Sequence, residues 1–181
     1  GVAVPNGIVA DTPEKAVEAA KTLTQLTGKE KWVIKAQVHA GGRGKGGGVK
    51  LASTLEEVQQ HAQNIIGMHL VTPQTSAEGK LVHQVMIAEN IYYEGPSEIK
   101  EFYISILLNR ATGRNMVMYS TEGGMNIEEV AEKTPHLIFT EEIEDSVGLM
   151  PFQARKIAFN LGLSGEAFKN MVKFLIKHRC L

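Results

Sequence analysis

A single cysteine, Cys180, in 181 residues rules out an internal disulfide and fits a reducing compartment. No apolar run approaches the roughly 20 residues that cross a bilayer, so no membrane span is expected. A strong charge of either sign is lacking too: 19 basic residues against 20 acidic ones give a net charge of −1, which excludes a broad nucleic-acid footprint. The histidines (His39, His61, His69, His83, His136 and His178) have no metal-ligand spacing, and none reads as a zinc ligand. The chain opens on Gly1 with neither an initiating methionine nor a charged-then-apolar leader. A fragment or processed chain of a soluble, intracellular protein is therefore expected.

What the chain does have is glycine in one place. "VIKAQVHAGGRGKGGGVKL" (33–51) puts six glycines into the eight positions 41–48, and the other two are Arg43 and Lys45. Strand-like runs flank it, Trp32 to Val38 before and Gly48 to Leu51 after. No helix persists through Gly46-Gly47-Gly48, so the flanking runs are expected to pair as antiparallel strands with the glycines at their tip. With so many glycines and so little to hold them, the loop is expected to be mobile.

The remaining pattern is mixed α/β. A helix is expected over "DTPEKAVEAAKTLTQLTG", capped by Asp11 or Thr12 and stopped by Gly28. Another covers "STLEEVQQHAQNIIG", with a capping box from Ser53 to Glu56 and Gly67 at its end. Val85 to Glu89 reads as a strand, and Glu101 to Leu108 and Met116 to Ser120 read as a hairpin. "PFQARKIAFNLG" and "EAFKNMVKFLIK" read as two more helices. A division near Ala88 to Gly95 gives two lobes, 1–88 and 89–181.

Known phosphate-binding loops narrow the reading of the glycines. Lys45 is followed by Gly46 where a Walker A loop needs Ser or Thr for Mg²⁺. Gly42, Gly44 and Gly47 match G-x-G-x-x-G, yet a dinucleotide fingerprint opens into a helix, and here Val49-Lys50-Leu51 continue as a strand. Strand, glycine loop and strand is the layout of a flap over nucleotide phosphates. Period-two alternation turns Trp32, Ile34, Ala36 and Val38 to one face and Lys35, Gln37 and His39 to the other. Lys35 is thus set to reach a phosphate, and Arg43 carries a planar fork suited to phosphate oxygens. The alternative is a surface lysine beside a flexible linker. The glycines of "STEGG" (120–124) read either as an anion-presenting helix start or as a tight turn.

"WVIKAQVHAGGRGKGGGVKL", "LVTPQT", "STEGGMNIEEVAEKTPHLI" and "GLMPFQARKIAFNLGL" resemble the β subunits of the succinate–CoA ligase family. The resemblance runs from "GVAVPNG" nearly to the end. It implies an ATP-grasp fold, two α/β lobes around a nucleotide cleft, with the second lobe incomplete. It also implies a partner α subunit that carries the phosphorylated histidine and the coenzyme A site, so no catalytic nucleophile is expected in this chain. By the same resemblance Lys35 contacts nucleotide phosphates, Gly42, Arg43 and Gly44 cover them, Glu89 and Tyr92 lie at the hinge that reads the purine edge, and Glu101 of "KEFY" is an acidic group near the nucleotide. The stretch "NIYYEGPSE" is longer than the family's usual hinge, which leaves the alignment of Glu89 open.

The reaction implied is reversible formation of succinyl-CoA from succinate and CoA, coupled to ATP/ADP or GTP/GDP, in the bacterial cytoplasm or the mitochondrial matrix. ADP is favoured over GDP by the resemblance, and by Pro5, which offers no side-chain hydrogen bond should it approach the base. The family's Mg²⁺ ligands are expected beyond residue 181, so the fragment alone is expected to be inactive. A malate–CoA ligase, an ATP-citrate lyase homologue and a non-catalytic nucleotide-binding module remain alternatives.

Overall fold

The computed structural model describes residues 4–92, 95, 99–124 and 127–177. Tyr93, Glu94 and 96–98 of the hinge stretch, Met125 and Asn126 of "STEGGMN", and the end with His178 and Cys180 lie outside the described residues. Two compact units divide the chain, one of Val4–Glu94 and the other from Gly95 onward.

The first unit holds strands β1 (Gly7–Ala10), β2 (Trp32–Ala36), β3 (Val49–Ala52), β4 (His69–Leu70), β5 (Lys80–Leu81) and β6 (Val85–Glu89), with helices α1 (Pro13–Thr27) and α2 (Leu55–Ile65). Its main sheet runs β1-β6-β2-β3, antiparallel throughout, and β4 and β5 form a separate pair. Thr12 caps α1 by accepting from the Lys15 amide, Pro13 begins the helix, and Gly28 ends it at φ 70°. The N-cap of α2 sits one residue later than expected, and the box is not formed: Thr54 accepts from Glu57 N, while Glu57 Oε2 accepts from the amide of Ser53, one residue before the cap, at 2.7 Å. That phase turns Val58, Ala62 and Ile65 inward, against Ala16, Ala20 and Leu23 of α1 and Trp32, Ile34, Ala36, Val85 and Ile87 of the sheet. The helix ends at Ile65, short of Gly67.

The second unit packs β7 (Tyr103–Asn109), β8 (Arg114–Ser120) and β9 (Ile138–Glu142), in the antiparallel order β7-β8-β9, on helices α4 (Pro151–Asn160) and α5 (Gly165–Lys177); α3 spans Ile127–Lys133. Gln153 ties the start of α4 to β9, accepting from the Met150 amide and donating to Glu142 O at 2.7 Å. Tyr119 is fully buried, stacks on Phe139 with ring centroids 5.4 Å apart, and takes a hydrogen bond from Asn160 Nδ2 at 2.8 Å. Burial raises its phenol pKa, and the Asn160 bond opposes that shift.

Candidate functional site

The register of β2 with β3 runs from Trp32↔Ala52 to Lys35↔Val49, closing the expected hairpin on the glycine loop. Trp32, Ile34 and Ala36 are buried and Lys35 and Gln37 half-exposed, so alternation assigns the faces correctly. The strand stops at Ala36, short of the expected Val38; the register with β3 ends at Lys35↔Val49, and Ala36 N donates to Gly48 O at 2.7 Å just beyond it. Among the described residues the Lys35 ammonium has no hydrogen-bond or ion-pair partner.

The loop is tied down by hydrogen bonds within itself and to its neighbours. Gly46 N, Gly47 N and Gly48 N donate back to Gly42 O, Gly44 O and Arg43 O, curling it into consecutive turns. Arg43 Nη1 donates to Ala36 O at 2.8 Å and staples the loop to the end of β2. From the other side the β4–β5 segment supports it. A turn built by Thr72 and Thr75 presents Gln74 Oε1 to the Gly41 amide at 2.6 Å, and Lys80 Nζ reaches His39 O at 2.8 Å. A Cβ on Gly46 would strike the carbonyl of Val71 and Leu70 Cδ1. Much of the glycine is thus there so that the loop can lie against its own fold.

Gly44 is the exception. A Cβ there would meet nothing within 4 Å, and its φ is not positive, so the fold itself makes no demand for glycine. The backbone N–H groups of Gly42, Arg43 and Gly44 also donate to no described group. Successive unpaired amides at a glycine turn form a concavity suited to an anion, and the approach over Gly44 is open.

The other expected site residues are carried by other elements. Glu89 ends β6, and its carboxylate is engaged: Oε1 accepts from Asn6 N at 2.9 Å and Asn6 Nδ2 at 3.1 Å, and Oε2 pairs with Lys29 Nζ at 3.2 Å. The Asn6 amide first, and then Lys29, hold its pKa below the ordinary glutamate value. Tyr92 is exposed, its N–H donating to Asn90 Oδ1. Glu101, in the second unit, is exposed and takes the Gly123 amide on its carbonyl at 3.0 Å. A Cβ on Gly123 would meet the Glu101 backbone, and one on Gly124 its carboxylate, so the glycines of "STEGG" serve this close approach. Helix α3 after them is only seven residues long. A groove lined by Lys21, Thr24, Trp32 and Thr54 contains none of the expected residues.

A family model described as "ATP-grasp domain" matches residues 1–179. The chain belongs to the ATP-grasp family. Within that family it is 69% identical over 175 residues to the succinate–CoA ligase (ADP-forming) subunit beta of Flavobacterium psychrophilum, covering 97% of this chain and 44% of that protein. The protein of the same name from Bacillus mycoides is 53% identical over 176 residues, with coverage of 97% and 43%. The chain therefore spans less than half the length of these relatives. An ATP-grasp chain should share its fold with distant enzymes, and it does. A solved structure described as a Ca. Korarchaeum cryptofilum dinucleotide forming acetyl-coenzyme A synthetase 1, in complex with coenzyme A, Ca-AMPCP and HgCl+, matches at a TM-score of 0.59 and 18% identity, over 97% of this chain and 71% of that one.

The supports of the ATP-grasp loop escaped the sequence reading. Leu70 and Lys80 sit on strands of two residues, too short for any periodicity, Gln74 sits in the turn between them, and Asn6 and Lys29 lie far in sequence from Glu89. "TPQT", a Thr-rich turn between two short apolar runs, was the one local signal.

Proposed function

We propose that this chain is the nucleotide-binding part of a succinate–CoA ligase β subunit, catalysing with an α partner the reversible formation of succinyl-CoA from succinate and CoA at the expense of ATP. The observation that carries this reading is the trio of amides at Gly42, Arg43 and Gly44, which donate to no described residue, on the loop that follows the strand of Lys35, whose ammonium likewise has no described partner. In this reading the amides orient phosphate oxygens, Lys35 supplies a formal charge, and Arg43 retains guanidinium donors beyond the one used on Ala36 O. Phosphoryl transfer asks a protein mainly for position and charge, and this arrangement provides both without a nucleophile.

Glu89 and Tyr92 belong in this reading to the hinge at the base, and Glu101 keeps the role of an acidic group near the nucleotide. The phosphohistidine and the CoA site belong to the partner. Among the described residues no group of three or more His, Cys, Asp or Glu can hold a metal, so no step is assigned to Mg²⁺ on this chain's residues. Nor is any helix among them long and apolar enough to cross a membrane.

The test is turnover of the full-length subunit with its α partner, offered succinate, malate or citrate with CoA and ATP or GTP. Succinate with ATP is expected to give the fastest ADP release. Preference for malate or citrate supports one of the other acid–CoA ligases, and nucleotide binding without turnover supports a non-catalytic module.

A further inference from the structure

The β4–β5 segment is fixed before it meets the glycine loop. Leu70 and Val82 are fully buried in the core of the first unit, and Gly67 N to Val82 O with Val82 N to Met68 O closes the base of the segment. At its tip Thr72 N donates to Thr75 Oγ1, Gln74 N to Thr72 Oγ1 and Thr75 N to Thr72 O. The backbone is thus bonded on both sides of Gln74 before its side chain reaches out.

The place it reaches is the start of the amide trio. Inside the loop the carbonyls of Gly42, Arg43 and Gly44 are taken by the amides of Gly46, Gly48 and Gly47, which curls the loop but leaves its first residues to be held from outside. Gly41 and Gly42 are both glycine, with little resistance of their own to backbone rotation. Gln74 Oε1 supplies the hold, accepting from Gly41 N at 2.6 Å. A Cβ on Gly41 would lie 2.7 Å from that same oxygen, although the φ of Gly41 is not positive. Glycine at 41 therefore answers to Gln74 and not to a backbone need.

We propose that Gln74 is a positioning residue for phosphate: by holding the Gly41 amide it fixes the direction of the Gly42, Arg43 and Gly44 amides that follow. This inference rests on the nucleotide reading above and adds to it a residue outside the loop. Gln74 is exposed, so losing its one acceptor contact should loosen the loop while scarcely touching the stability of the fold.

The experiment uses the full-length subunit in complex with its partner and two variants of similar side-chain length. Gln74→Met removes the acceptor, and Gln74→Glu keeps it. Three quantities are read: hydrogen exchange of peptide 41–48 without ligand, affinity for inorganic tripolyphosphate and for ADP, and melting temperature. In Gln74→Met the peptide should exchange faster, both ligands should bind about three- to tenfold more weakly, and the melting temperature should hold. In Gln74→Glu the exchange should stay at the wild-type rate. Unchanged exchange in Gln74→Met, or normal affinity for both ligands despite faster exchange, overturns the proposal. So does a Gln74→Glu protein that exchanges as fast as Gln74→Met, because the acceptor is then not what holds the loop. A Gln74→Met protein that melts several degrees lower or fails to fold makes the residue structural, which also overturns it. A wild-type complex that binds neither ligand removes the nucleotide reading itself, and this inference with it.

Discussion

Two alanine substitutions in one loop should have opposite consequences. At Gly46 the added methyl meets the Val71 carbonyl, Leu70 Cδ1 at 2.9 Å and Thr72 Cγ2 at 3.4 Å. A side chain can rotate away, but a backbone carbonyl cannot, so the loop or the β4 segment must shift. Overpacking of this kind costs about 1–3 kcal/mol. At Gly44 the methyl meets nothing, the backbone is already in a region open to alanine, and the lower entropy of the unfolded chain adds about 0.4–1 kcal/mol of stability. Thermal unfolding shifts by roughly 2–4 °C per kcal/mol for a protein of this size. Gly46→Ala should therefore melt several degrees lower and Gly44→Ala at or slightly above the wild type. If a phosphate packs over the 42–44 amides, Gly44→Ala must nonetheless bind ADP more weakly, about tenfold for one lost charge-assisted contact. The assay is melting temperature beside ADP affinity by titration calorimetry. A Gly44→Ala protein that is stable and binds ADP normally refutes the argument that Gly44 answers to a ligand.

Lys35→Ala should lower nucleotide affinity about ten- to a hundredfold with little change in melting temperature, as its ammonium supports nothing in the described fold; calorimetry on the folded variant checks both. Asn160→Ala removes the partner of the buried Tyr119 hydroxyl and should cost about 1–3 kcal/mol in denaturant unfolding, without altering ADP affinity. Acid sensitivity follows from Glu89, whose folded pKa is held below its ordinary value of 4.5 by Asn6 and then Lys29. A depressed carboxyl pKa contributes stability that is complete above the unfolded value and is lost as pH falls through the folded one. Glu89→Gln should flatten that acid limb in melts taken between about pH 6 and 3, and an unchanged limb would argue against the contacts of Glu89 with Asn6 and Lys29.

Local rules were enough for the elements whose chemistry is local. The Thr12-Pro13 start and Gly28 stop of α1 and the alternating faces of β2 all follow from neighbours in sequence. β1 and β9 were not legible. Four residues of "GIVA" and the half-polar "IFTEE" gain their strand identity from pairing with β6 and β8, partners far along the chain. The glycine loop shows the same limit. Its cations and glycines pointed to phosphate, but which glycines serve a ligand and which serve Leu70 and Val71 depends on close approaches that no spacing rule contains. Glu89 shows it most plainly, since its position in β6 was readable and the engagement of its carboxylate by Asn6 and Lys29 was not.

The central claim is that the amides of 42–44 receive a nucleotide phosphate, and hydrogen exchange reads those amides directly. On adding ADP to the full-length subunit with its partner, peptides covering 41–48 should exchange more slowly, while those of α1, Pro13–Thr27, serve as an unchanged reference. Tripolyphosphate at saturation should slow the same peptides. If ADP binds and the exchange of 41–48 does not change, the loop is not where the phosphates lie, and the account is wrong at its centre.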